Sequence, residues 1–116
     1  MPIRVGFVHL RMRLLQEELE KIVDLLPRLG IKKCILVNPL YPGTVTPSTA
    51  LKLVMVMEDD RTFVRRPDFF YSHLSPAVAV DFYPYTPDEI EIIETYDSPL
   101  SRAIKKGEVV YEEQQD

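Results

Sequence analysis

A chain of 116 residues, 46% apolar and 28% charged, has the size and composition of one globular domain spanning residues 1–116, which excludes two independent cores. Such a chain buries roughly two-thirds of the surface its unfolded form exposes, and its single Cys34 excludes a disulfide-stapled secreted scaffold. Net charge is -4 and unevenly spread: residues 1–66 carry 11 Lys and Arg against 7 Asp and Glu, and residues 67–116 carry 3 against 11. This acidic balance makes nucleic acid an unfavoured partner.

Arg4, His9, Arg11 and Arg13 interrupt the apolar residues at the start of the chain. Neither a secretory h-region nor a stretch of transmembrane length forms, so a soluble cytoplasmic protein is expected. Residues 3–8 suit a short extended arm. From Met12 to Leu29 the spacing of Leu15, Leu19, Ile22, Leu26 and Leu29 traces one face of an amphipathic helix. Pro27 should end or tighten its last turn, and Gly30 is the stop signal. Cys34 to Val37 reads as a buried strand halted by Asn38-Pro39.

Pro39, Pro42, Gly43 and Pro47 make Asn38 to Thr49 a loop. Ala50 to Met57, broken only by Lys52, fits a central strand covered on both faces. Glu58-Asp59-Asp60 reads as a solvated turn. Phe63 to Leu74 suits a short helix interrupted at Arg66-Pro67, and Ala77 to Tyr83 a third strand. Thr86-Pro87-Asp88-Glu89 forms a capping box opening a helix to about Tyr96. Ser98-Pro99 repeats the device for a helix ending at Lys105-Lys106-Gly107, and Glu108 to Glu112 adds a final strand. The order describes a small sheet carrying helices, with a helix between strands allowing parallel neighbours.

Local spacing carries a resemblance. The stretch from Leu36 to Val56, with Gly43, Pro47 and the following apolar strand in position, resembles the signature of minimal nucleotidyltransferases of the polymerase-beta superfamily. That signature is a strand, a Gly-Ser turn, a loop, and Asp-x-Asp opening an apolar strand. Val80-Asp81 looks like the third-aspartate strand, and Tyr85-Thr86-Pro87-Asp88-Glu89 like the Tyr-Thr-Pro-Glu-Glu helix start. Ser98-Pro99-Leu100 and Gly107 to Tyr111 look like the terminal helix and ending, so the similarity spans about residues 12 to 112. The resemblance implies the nucleotidyltransferase fold, an α/β domain with a small mixed sheet and helices mainly on one side.

The departures fall on the chemistry. Asn38-Pro39 stands where the family has Gly-Ser, and Ala50-Leu51-Lys52 where it has Asp-x-Asp, leaving only Asp81 at an acidic position. Phosphoryl transfer needs divalent metals, and carboxylates two apart on a strand share a face to hold them. Ala50 offers no oxygen, Lys52 would set a cation where a cation must bind, and Pro39 removes an N–H from the turn. A degenerate domain is expected, a pseudoenzyme with no catalytic residue and no cofactor, acting as a nucleotide- or anion-binding module or a protein-interaction module. Its degenerate cleft positions are Asn38, Pro39, Gly43, Ala50, Lys52 and Asp81. Lys52 is the candidate anion-binding residue, at the mouth of the cleft with Asp81 on an adjacent strand.

The resemblance also implies a partner class, the small helical HEPN-type proteins of toxin-antitoxin pairs. Two alternatives stand beside this: an active magnesium-dependent nucleotidyltransferase using Asp81, and a structural homo-oligomer with an empty cleft. Among other residues, Tyr41, Tyr83 and Tyr85 either stack on a base or pack in strands and turns. Arg61, Arg65 and Arg66 form a basic patch or a solvated helical face. His9 and His73 have no ligands at metal-site spacing, and Cys34 reads as an inert buried thiol. The cluster Phe69, Phe70, Tyr71 and Leu74 offers more aromatic surface than a short helix easily buries, which predicts a homodimer or a tight heteromeric complex.

Overall fold

The computed structural model describes residues 2–38, 40, 41 and 43–114, apart from the side chains of residues 2–6 and 8. Helix α1, Pro2–Leu25, tightens into a 3-10 turn at Leu26–Leu29. Pro27 lies inside that turn, where its missing N–H removes an α-helical bond. Gly30 then stops the helix at φ 73°, a left-handed conformation that costs a glycine little. The extended arm expected at residues 3–8 is instead helical. Once the turns beyond it are formed, each further residue orders at the gain of one bond, so the helix propagates back to Pro2, where a proline loses nothing.

Four strands follow: β1 (Lys33–Leu36), β2 (Leu51–Val56), β3 (Val80–Tyr85) and β4 (Glu108–Glu112). They form one mixed sheet in the order β3-β2-β1-β4, with β1 antiparallel to both β2 and β4, and β2 parallel to β3. The parallel pair is joined by a 3-10 turn at Phe63–Arg65 and helix α2, Arg66–Leu74. Helix α3, Pro87–Thr95, and helix α4, Pro99–Lys106, connect β3 to β4. The third strand starts at Val80 rather than Ala77, because the Ala77 N–H is bonded to Oε1 of Glu18 in α1 at 3.0 Å and so sits in a turn. The capping box is formed, with Thr86 Oγ1 accepting from the Glu89 N–H and Glu89 Oε1 accepting from the Thr86 N–H.

Alternation along the strands divides the core in two. Cys34, Leu36, Leu51, Leu53, Met55, Val80 and Phe82 pack against Leu15 and Ile22 of α1, Leu26 of the 3-10 turn and Phe70 and Leu74 of α2. Ile35, Val54 and Val56 form a smaller cluster with Ile104 of α4 and, partly buried, Ile90 and Ile93 of α3. The larger helical mass, α1 with α2, thus lies on one side, while α3 and α4 cover part of the other.

The aromatic cluster of α2 is absorbed by the domain. Phe70 and Leu74 are in the core, Phe69 packs against it, and Phe70 stacks on Phe82 with ring centroids 5.4 Å apart. Tyr71 is half exposed but donates its hydroxyl to the Val80 carbonyl at 2.6 Å. Phe70 and Leu74 are thus spent on the core, while Phe69 stays partly buried and Tyr71 keeps an exposed face. Other exposed apolar residues are scattered over the surface, three of them, Phe7, Leu10 and Leu14, along α1. A helix of 24 residues is about 36 Å long, and among its described side chains Met12 is the first to meet the core.

Candidate functional site

The parallel register of β2 and β3 places Lys52 beside Asp81. Leu51 and Leu53 point into the main core, so Lys52 points to the opposite face, on the same side as Val54 and Val56. Helices α3 and α4 cover those two valines. Lys52, one turn of the pleat earlier, is left exposed, as is Asp81. Ala50 immediately precedes β2. Ala50, Lys52 and Asp81 therefore gather at one end of the sheet, bringing together a methyl, an ammonium and one carboxylate. Among the described residues no ion pair within 4.0 Å joins Lys52 to Asp81.

Asn38 fixes the start of β2. Its Oδ1 accepts from the Lys52 N–H at 2.9 Å and its Nδ2 donates to the Ala50 carbonyl at 2.7 Å. The Val37 N–H adds a bond to the Lys52 carbonyl at 3.0 Å. The amide continues the ladder past the end of β1 and fixes the Asn38 side chain at the wall of the cleft. Pro39 lies outside the described residues.

Tyr41 and residues 43–49 make the facing wall. Val45 plugs it into the core, and the N–H groups of Thr44 and Val45 bond back to the Tyr41 carbonyl. Thr49 Oγ1 accepts from the Thr46 N–H at 2.8 Å, and Thr46 Oγ1 lies 3.2 Å from both Ser48 Oγ and Thr49 Oγ1. Arg11 of α1 ties the loop down by donating from Nη2 to the Thr49 carbonyl at 2.8 Å. The result is a cleft of about 620 Å³ whose lining includes Asn38, Tyr41, these hydroxyls, Ala50, Lys52 and Asp81. Tyr41 keeps an exposed ring at its wall. A Cβ on Gly43 would meet nothing within 4 Å, so space alone does not require glycine there. The hydroxyl cluster was not singled out from the sequence, although Thr46-Pro47-Ser48-Thr49 carries the composition of such a turn.

The remaining candidates are drawn elsewhere. Tyr83 and Tyr85 pack against the smaller core cluster. The basic trio is split. Arg66 is buried, its Nη1 on Glu89 Oε1 at 2.6 Å and on the Pro84 carbonyl, and its Nε on the Arg61 carbonyl. Arg61 forks onto Asp59, Nε to Oδ1 at 2.7 Å and Nη2 to Oδ2 at 2.6 Å. Only Arg65 remains as an exposed cation of the expected patch. The turn Glu58-Asp59-Asp60 is likewise not uniformly solvated, since the Asp59 side chain is 3% exposed. The Arg61 hydrogen bonds hold its carboxyl below the usual carboxylate range.

His73 Nδ1 lies 2.8 Å from the Phe69 carbonyl, one turn back in α2. Burial pushes the Cys34 thiol up to about 12, which leaves it protonated. Among the described residues no group of three or more His, Cys, Asp or Glu is placed to share a metal ion, and no helix is long and apolar enough to cross a membrane. No family model, no curated protein and no solved structure matches this chain.

Proposed function

We propose that this chain is a degenerate, non-catalytic nucleotidyltransferase-like domain of the cytoplasm whose cleft holds a phosphate-bearing anion, such as a nucleotide, without a divalent metal. The observation that carries the proposal is the placement of Lys52 beside Asp81 at the wall of the cleft. Transfer of a phosphoryl group requires metal ions to offset charge on the moving oxygens, and a single carboxylate beside an ammonium is a poor cradle for them. That ammonium offers three donors and a fixed positive charge. The hydroxyl cluster of Thr46, Ser48 and Thr49 supplies further donors across the cleft, and the exposed ring of Tyr41 offers a flat face to a base. Asp81 opposes an anion, which limits affinity and favours ligands that reach the loop wall.

Calorimetric titration with ATP and with inorganic phosphate, in magnesium and in EDTA, tests the proposal. Binding should persist in EDTA, weaken as salt rises, and fall about tenfold or more in Lys52→Ala, the loss expected for one charge-assisted contact. Unchanged affinity in that variant would overturn the anion site. Label transfer that depends on magnesium and disappears in Asp81→Asn would overturn the absence of catalysis.

Exposed Phe7, Leu10 and Leu14 favour a second role, that of an interaction module. Their spacing sets them along one side of the projecting part of α1. The partner would be a second copy or a small helical protein of the HEPN type, and a monomer in light scattering at high concentration leaves only the latter.

A further inference from the structure

We infer that the outer edge of β4 accepts an extended, basic segment of another protein as an added strand. The two edges of the sheet differ in kind. On β3 the carbonyls of Ala79 and Tyr85 bond toward β2, so the backbone groups of Val80, Phe82 and Pro84 face outward. That edge is blocked: the Tyr71 hydroxyl occupies the Val80 carbonyl, Arg66 reaches the Pro84 carbonyl, and Pro84 has no N–H to offer. Among the described residues the sole strand partner of β4 is β1, and the β4 sequence Glu-Val-Val-Tyr-Glu contains no proline. The sheet can grow there and not at its other end.

Beside that edge runs a groove of about 340 Å³ between α1 and β4. Leu19, Val23 and Val110 give it apolar walls, while Glu20, Asp24 and Glu108 bring three carboxylates, and among the described residues no cation lines it. In strand addition, backbone bonds supply affinity and alternate side chains choose the partner. The groove fits a segment in which Lys or Arg alternates with apolar residues. A second copy brings the same acidic edge, in which, among the described residues, only Glu112 has a cation beside it, Lys33 at 3.6 Å. Antiparallel pairing of two β4 strands centred on Val110 sets Glu108 opposite Glu112, and facing like charges destabilise a ladder.

The test uses the full chain, labelled for NMR, and a short blocked peptide alternating Lys and Val. Shifts that saturate, lie on β4 and the neighbouring turns of α1, weaken with salt and accompany slowed amide exchange in β4 are expected. A Glu/Val peptide should not bind. The Lys/Val peptide N-methylated at alternate residues keeps its charge but loses its edge donors, and it should not bind either. Glu20→Lys with Asp24→Lys, both exposed on α1, should weaken binding at least about tenfold with the fold retained. Absence of binding, equal binding of the N-methylated peptide, shifts centred on Glu58 to Asp60, or self-association through β4 would each overturn the inference.

Discussion

Oε1 of Glu89 receives Nη1 of Arg66 at 2.6 Å while also accepting the Thr86 N–H at 2.8 Å. One oxygen thus joins the crossover helix α2 to the first turn of α3, with Arg66 buried behind it. Arg66→Ala removes this bond and those to the carbonyls of Arg61 and Pro84, and should cost about 2–4 kcal/mol of stability by urea denaturation. The Arg66 hydrogen bond, with the Thr86 contacts, lowers the Glu89 carboxyl below its ordinary value. A carboxyl with a depressed folded value stabilises the fold fully above about pH 4.3, its unfolded value. That contribution is lost as pH falls through the folded value. Denaturation midpoints followed from about pH 7 to about pH 3 should fall less steeply in Glu89→Gln than in the parent.

Gly107 ends α4 at an ordinary negative φ, so its identity is set by space. A Cβ there would lie 2.6 Å from Cγ2 of Ile35 and 2.9 Å from the Leu36 carbonyl oxygen. The side chain could rotate away, but the carbonyl belongs to β1 and cannot. Gly107→Ala should destabilise by about 1–3 kcal/mol, as overpacking does elsewhere, read as a lower thermal midpoint with unchanged circular dichroism at room temperature.

Ser75 closes α2 in the left-handed region, at φ 42° and ψ 59°, while its N–H bonds the Tyr71 carbonyl. A residue with a Cβ pays about 1 kcal/mol or more for that conformation, and glycine does not. Ser75→Gly should therefore raise stability by up to about 1 kcal/mol despite the greater freedom of its unfolded chain. A lower midpoint would show that the hydroxyl makes a contact of greater value.

Features written within a few residues were legible in the sequence. The capping box at Thr86 to Glu89, the tightened turn at Pro27, the stop at Gly30 and the strand Glu108–Glu112 each depend on neighbours in the chain. Arg66 was not legible as a buried ion-pair partner, because Glu89 lies beyond β3 and only the crossover brings it near. Asp59 looked like part of a charged turn for a different reason: its partner Arg61 is local, but its burial arises from the packing around it. In the cleft, the closeness of Lys52 and Asp81 was readable only through the resemblance, since no local pattern fixes a parallel register. The bonds of Asn38 to Ala50 and Lys52 left no trace in composition, as any residue with a short amide reads there as a strand terminator.

The strand order has a consequence for synthesis. β4, near the end of the described chain, pairs with β1, near its beginning, and lies outside it. As the chain emerges from the ribosome, β1, β2 and β3 can join first, leaving β1 as a temporary border with Cys34 and Leu36 incompletely shielded. The border closes only when Glu108 to Glu112 arrives. During that interval the nascent chain offers an apolar strand to any neighbour, and loss of β4 by truncation would make the interval permanent.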